Sequence, residues 1–450
     1  MCEAVLGIDI GTSYTKIAVR AEDGTLLHTC RGESPTKHGH GNIVFAYPWW
    51  QCIRDVITNA LSHPSLYGCR IVAMCISAIA PTLTIFDTAE PERARAILYS
   101  SLDNIGSSLQ MLPMDEITRR RISTLREVAL NDQFSTPCLT DLVGYINWLL
   151  TNEITVNVAS LAEMSISEPA EDLDALEGKG GNIARSVSVS EIVGSTKSTS
   201  ASELRISAGV PVCGGCPDTV GSIIGGGLVN AGEVMLYLGT YGSVLSLQMD
   251  TETILTTRRL GVLPYNWLLS VPNLGVAVEE TAHKWFRDFT NPLQELDRVA
   301  ELHQPGANGV LFLLPRWRHG VMSVGEFSFV ANRNGSWGSK SQRARALLES
   351  IAYAAVIVAD GLPAVFRASG GGSKSTAWLS SIATVMNRQI VMPEFCWEAS
   401  GTAEIAARVA WRKPVTREAK IIACDATVRR DIIEDNLFRA HEEYVKRGWI

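Results

Sequence analysis

The feature that most constrains this chain is a strand–turn–strand unit that occurs twice. Ala4 to Ile10 is an apolar run ending in Gly11-Thr12-Ser13-Tyr14-Thr15-Lys16, and a second apolar run, Ile17 to Arg20, leads to Asp23-Gly24. This order predicts a β-meander, because Asp-Gly favours the primed turns that close hairpins. The same order recurs at Met235-Leu-Tyr-Leu-Gly239-Thr240-Tyr241-Gly242-Ser243, followed by Val244 to Leu247. Aligning Gly11-Thr12 with Gly239-Thr240 superimposes apolar strands on both sides and sets Tyr237 where Asp9 stands. One Gly-Thr turn is commonplace. Two at matching strand positions predict two similar α/β domains, with a nucleotide clamped in the cleft between them.

These turns differ from the strand-to-helix phosphate loops of Rossmann and P-loop folds, which place several glycines before a helix N-terminus. In a hairpin turn Gly11 lets the backbone approach an anion, Thr12 and Ser13 offer hydroxyl and N–H donors, and Lys16 supplies positive charge. Asp9 could hold a hydrated magnesium ion beside the phosphates. Tyr237 at the matching position cannot, so the metal is expected in the first half alone. A third element is Ala364 to Ser369 followed by Gly370-Gly371-Gly372-Ser373-Lys374-Ser375 and a helix with Trp378, Ile382, Val385 and Met386 on one face. Strand, glycine triplet and helix start allow close approach of a flat or anionic ligand.

Pro211-Val-Cys213-Gly214-Gly215-Cys216-Pro217-Asp218-Thr219 precedes Val220 to Gly227, which reads as a short, tightly packed helix with Asp218 at or near its N-cap. Most such aspartates are only caps. This one lies near the expected junction of the halves, where a hydroxyl attacking a phosphate needs a carboxylate to take its proton. Asp218 is therefore the candidate base.

The chain has 450 residues and a formal net charge of −7, and 46% of its residues are hydrophobic. That balance predicts globular domains with large cores and supplies no basic stripe for nucleic acid. No apolar run approaches a membrane span, and the N-terminus lacks a secretory pattern, so a cytoplasmic location is expected. The ten cysteines then read as reduced thiols. Cys213 and Cys216 have metal-ligand spacing but no matching second pair.

These pieces, in this order, resemble the FGGY carbohydrate kinase family from Leu6 to about Trp411. Gly7-Ile-Asp9-Ile-Gly11-Thr12 is similar to its first phosphate motif, and Gly214-Gly215 to Asp218 to its catalytic aspartate motif. Leu238-Gly239-Thr240 is similar to its second phosphate motif, and Ser369 to Ser375 to its adenosine motif. Tyr237 to Leu245, and Ala80-Pro81-Thr82-Leu83 before Ala96-Ile-Leu-Tyr99, resemble a xylulokinase-like branch. The resemblance implies two RNase H-like (actin-like ATPase) domains, 1–228 and 229–450, that use ATP and Mg2+ to phosphorylate a small sugar such as the ketopentose xylulose. It assigns Asp218 as proton acceptor and Asp9 to the metal. Thr12, Ser13, Lys16, Gly239 and Thr240 would meet the phosphates, Gly371, Gly372 and Ser375 the adenosine, and Thr82, Asp103 and Thr219 the sugar. It leaves a homodimer open.

Three departures keep other readings in view. Leu102-Asp103-Asn104-Ile105 stands where the family has Asp-x-Arg, a Pro-Lys segment between Phe134 and Tyr145 is largely missing, and Glu280 replaces a glycine near the phosphates. An impaired sugar or nucleotide sensor, or an actin-like ATPase without a sugar substrate, would share the hairpins. Ser165 to Ser202 is expected as surface loops or a weakly packed excursion, and Trp49 and Trp50 as the start of an amphipathic helix, core or cleft wall rather than a sugar-stacking platform.

Overall fold

The computed structural model describes residues 2–36, 43–98, 114–166, 184–258, 260, 262–271, 273–315, 327–358, 362–393, 398–412, 419–423 and 429–447. The chain divides into two compact units. The first comprises Met1–Gly225, Met249–Pro264 and Trp397–Arg417, and the second Gly226–Gln248, Tyr265–Cys396 and Glu418–Ile450. A single boundary after residue 228 is what the motif order suggests; the chain in fact crosses after Gly225 and returns to the first unit twice.

The first unit is built on a seven-stranded sheet. Its strands are β1 (Cys2–Ile10), β2 (Tyr14–Ala21), β3 (Leu26–Glu33), β4 (Cys69–Ala78), β5 (Ile192–Ser195), β6 (Pro211–Cys213) and β7 (Cys216–Pro217). The order is β5-β6-β4-β1-β2-β3, with β7 also beside β4. β1, β2 and β3 are the antiparallel meander the sequence predicts, whereas β4, β6 and β7 run parallel to β1. Parallel strands are covered on both faces and therefore need nearly continuous apolar runs, which β1 and β4 have.

The second unit repeats this topology. Its strands are β8 (Val234–Leu238), β9 (Gly242–Leu247), β10 (Tyr265–Val271), β11 (Val365–Ser369), β12 (Gln389–Pro393) and β13 (Ala419–Ile422), ordered β10-β9-β8-β11-β12-β13. Again three antiparallel strands are followed by two parallel to the first and one antiparallel at the edge. β8–β9 is the structural equivalent of β1–β2, so the sequence repeat marks a repeated fold.

Helix Tyr47–Leu61 buries Trp49, Trp50, Ile53 and Ile57, and Trp50 Nε1 donates to Glu203 at 3.0 Å, so both tryptophans are core. The segment expected as loop from Ser165 carries strand Arg185–Val187, β5 and helix Ser198–Leu204. Its apolar residues are few, but Val187, Val189 and Val193 are all buried; an edge element needs only one apolar face.

The second unit also encloses a polar knot. Glu349, on helix Lys340–Val358, is fully buried and accepts from Gly306 N at 2.9 Å and Arg345 Nε at 3.0 Å. Tyr353 and Asn436 extend the network. Removing one member of a buried ion pair strands the other charge, at a cost of about 3–5 kcal/mol. Glu349→Ala should lose that much in denaturant unfolding of this unit, and a loss below about 1 kcal/mol would contradict the pairing.

Candidate active site

Strand register explains why residues far apart in sequence meet in the first unit. Asp9 pairs with Ser77 across β1 and β4, and Ser77 pairs with Cys216 across β4 and β7. All three strands are parallel and end within a residue or two of this level. Asp218 begins helix Asp218–Gly225 immediately beyond β7. The carboxyl ends of parallel strands are where open α/β sheets bind ligands, and here they gather Asp9 and Asp218.

Asp9 is buried; its Oδ1 accepts from Ser77 Oγ at 2.8 Å and its Oδ2 from Lys16 Nζ at 3.2 Å. Burial pushes the Asp9 carboxyl up to about 6, with Lys16 opposing the shift. Lys16 is paired with Asp9 by the hairpin register and remains 29% exposed. Its ammonium also donates to Glu398 Oε2 at 2.8 Å. Burial alone would lower the Lys16 pKa, but Glu398 and Asp9 outweigh it and raise it above the ordinary lysine value.

Burial also raises the Asp218 carboxyl well above its usual range, and the charges of Asp9, Glu163 and Glu398 push it further. A carboxylate so destabilised is a stronger base, the property a proton acceptor needs. Its Oδ1 accepts from Thr219 N at 2.8 Å. The approach to it is set by Gly214 and Gly215: a Cβ would lie 2.2 Å from Ser188 O at the first and 2.5 Å from Ile76 O at the second, where φ is +80°. Asn147 Nδ2 donates to Gly214 O at 3.0 Å, and Asn157 Nδ2 donates to Gly215 O. Two asparagine amides thus tie down the turn before Asp218.

The first Gly-Thr turn is held by one backbone bond and two hydroxyls from the segment after β3. Gly11 N donates to Tyr14 O at 3.1 Å, Ser34 Oγ to Gly11 O at 2.7 Å, and Thr36 Oγ1 to Thr12 O at 2.8 Å. The carbonyls of Gly11 and Thr12 are therefore occupied from behind, and Thr12 and Ser13 are half-buried. Thr82 follows a cis Ala80–Pro81 bond; its hydroxyl is buried and has no hydrogen-bond partner among the described residues. Asp103 lies outside the described residues.

In the second unit the matching turn has Gly239 N donating to Tyr241 O at 2.9 Å, with Thr240 exposed. Gly275, at the start of helix Leu274–Phe286, packs on it so closely that a Cβ would lie 2.1 Å from Gly239 O. Glu280 is exposed on the same helix, and Gly275 is the residue that meets the turn. Gly370, at φ +90°, would place a Cβ 2.6 Å from Leu238 O, which brings the Gly370–Ser375 segment against the Gly239 turn. Gly371 faces open space, and Ser375 Oγ caps helix Thr376–Met386 by accepting from Trp378 N at 2.9 Å.

Sequence reasoning missed Glu398, Glu163, Ser77, Asn147, Asn157 and Gly275. Glu398 opens helix Glu398–Trp411, which lies against β1 and the Asp218 helix; nothing in its local sequence signals that placement. Among the described residues no group of three or more His, Cys, Asp or Glu side chains could hold a metal by itself. Asp9 and Glu398 nevertheless set two carboxyl groups against the one Lys16 ammonium. A divalent cation fits this donor set when nucleotide phosphates complete its coordination, the usual situation for such ions. The eight described cysteines are free thiols, and burial raises Cys75 and Cys216 well above the ordinary thiol value. No described helix is long and apolar enough to cross a membrane.

Residues 4–126 match the FGGY family of carbohydrate kinases, N-terminal domain. Fold and match together define the class: an ATP-dependent carbohydrate kinase built from two actin-like ATPase domains, as the motifs implied. Within that class, the chain is similar to the xylulose kinase of Staphylococcus epidermidis, 24% identical over 432 residues, which cover 86% of this chain and 84% of that protein. The xylulose kinase of Rhodospirillum rubrum has the same fold, with a TM-score of 0.70 at 20% identity over 98% of both chains. So does glycerol kinase of Plasmodium falciparum with ADP, with a TM-score of 0.74 at 16% identity over 100% of this chain and 99% of that one.

Proposed function

We propose that this protein transfers the γ-phosphate of ATP to a hydroxyl of a small sugar, most fittingly a ketopentose such as xylulose, with Asp218 as proton acceptor and Mg2+ as the divalent cation. The observation that carries the reading is the register that sets Asp218 beside Asp9 at the ends of parallel strands. Asp218 takes the proton of the attacking hydroxyl as its oxygen forms the bond to phosphorus and the bond from phosphorus to the bridging oxygen of ADP breaks. Thr12, Ser13, Lys16, Gly239 and Thr240 meet phosphate oxygens. Gly371, Gly372 and Ser375 receive the adenosine. Asp9 would hold the cation, which supplies positive charge to the phosphates. Thr82, Asp103 and Thr219 are the sugar-side candidates, and the unused hydroxyl of Thr82 supports the first of them. The similarity to xylulose kinases supports the ketopentose.

The test is coupled-assay ADP release with Mg2+ and ATP against ketopentoses, polyols and hexoses. Release that depends on a ketopentose is expected. Saturable binding of nucleotide or sugar without release would replace this reading with that of a sensor, and release indifferent to every sugar with that of an ATPase.

A further inference from the structure

The Lys16 ammonium is shared between two carboxylates, 2.8 Å from Glu398 Oε2 and 3.2 Å from Asp9 Oδ2. The two acids are fixed and the lysine is not. Asp9 lies within β1 and is held by Ser77. Glu398 is fixed by its backbone: Gly7 has no Cβ, and one added there would lie 2.1 Å from Ala399 O and 2.3 Å from Ala403 N. The first turn of the Glu398 helix is thus seated directly on β1, and Thr402 Oγ1 donates to Ile8 O at 3.3 Å. Lysine, by contrast, is a point charge on a flexible four-carbon stem, so the carboxylates decide where its ammonium rests.

We propose that Glu398 is a positioning residue for the nucleotide-borne divalent cation: by drawing the Lys16 ammonium toward itself, it keeps the Asp9 carboxylate available to that cation. The inference rests on the kinase reading above. Two carboxylates and one ammonium leave the triad with one net negative charge, which attracts a divalent ion. Without the Glu398 charge the sum is zero, and Lys16 closes on Asp9 and competes for the same oxygens.

Glu398→Gln keeps the shape and an acceptor oxygen but removes the charge. The cation concentration for half-maximal sugar-dependent ADP release should rise about 10-fold, the effect of about 1.4 kcal/mol, and by more than any fall in kcat at saturating cation, which the lesser effect of the Glu398 charge on Asp218 would produce. Direct Mn2+ binding in the presence of ADP, followed by electron paramagnetic resonance, should weaken by a similar factor. Glu398→Asp, which retains the charge, should stay near wild type in both measurements. Unchanged Mn2+ affinity in Glu398→Gln would overturn the proposal, as would an equal loss in Glu398→Asp or a fall in kcat without any change in cation dependence. The kinase reading fails separately, if the wild-type protein binds Mn2+ with ADP but releases no ADP in response to sugar; the comparison of Mn2+ affinities still decides the role of Glu398.

Discussion

Asp218→Asn should reduce sugar-dependent turnover by about 10²- to 10⁴-fold, the usual contribution of a positioned general base, and at the same time stabilise the folded protein at neutral pH. The two effects have one origin. Burial and the charges of Asp9, Glu163 and Glu398 raise the Asp218 carboxyl well above the ordinary 3.8. Below that value the carboxyl is protonated in folded and unfolded chains alike, and the substitution changes little. As pH rises, the unfolded chain releases the proton first while the folded chain retains it, so folding loses stability until the folded carboxyl also ionises. The amide has no such penalty, and its Oδ1 can still accept from Thr219 N. Thermal unfolding of the variant and the wild-type protein should therefore coincide near pH 3.5 and diverge toward neutrality. A gain of about 2–4 °C there corresponds to about 1 kcal/mol in a unit of this size. An active variant would remove Asp218 from the chemistry; an inactive variant with no pH-dependent gain would show that its carboxyl is not strained by its surroundings.

Gly401→Ala should be among the most damaging single substitutions in the chain. A Cβ there would lie 1.9 Å from Gly221 O and 2.7 Å from Gly225 N, both backbone atoms of the helix that begins with Asp218. No rotamer change relieves such a contact, so the two helices must separate. Alanine is the better helix former by about 1 kcal/mol, but overpacking of this kind costs about 3 kcal/mol or more. The net loss of about 2 kcal/mol should lower thermal unfolding by at least about 4 °C, at about 2–4 °C per kcal/mol, and turnover should fall with it because the Asp218 helix moves. Gly371→Ala is the control: nothing lies within 4 Å of its added Cβ, so stability should hold and only the KM for ATP should rise. Equal stability of the two variants would mean that the Gly401–Gly221 contact does not exist.

The parts of the site that could be read in the sequence are those carried by local patterns. Gly11-Thr12 and Gly239-Thr240 announce themselves because a tight turn between apolar strands demands those residue types. The glycine triplet before the Trp378 helix does so because strand, turn and helix succeed one another directly. Asp218 stood out through its place at the start of a short helix near the expected junction of the halves, and the fold has a steric reason for both glycines before it. Glu398, Asn147 and Asn157 carry no such signal; each is an ordinary polar residue on or beside a helix, and its partner lies across a strand or turn formed by another part of the chain. The stretch around Val187 and Val193 was underestimated for a related reason, since edge strands need too few apolar residues to stand out.

The sequence by itself determined the twofold repeat, the hairpin turns, the acids at Asp9 and Asp218 and the family they resemble, because these depend on backbone turn chemistry and on residues close together in the chain. Only the tertiary structure decided that residues 397–417 return to the first unit and set Glu398 on Lys16. That outcome depends on the absence of side chains at Gly7 and Gly401, where an added Cβ would lie 2.1 Å from Ala399 O and 1.9 Å from Gly221 O. Which glycines of a chain meet another segment is a property of packing, and no local pattern encodes it.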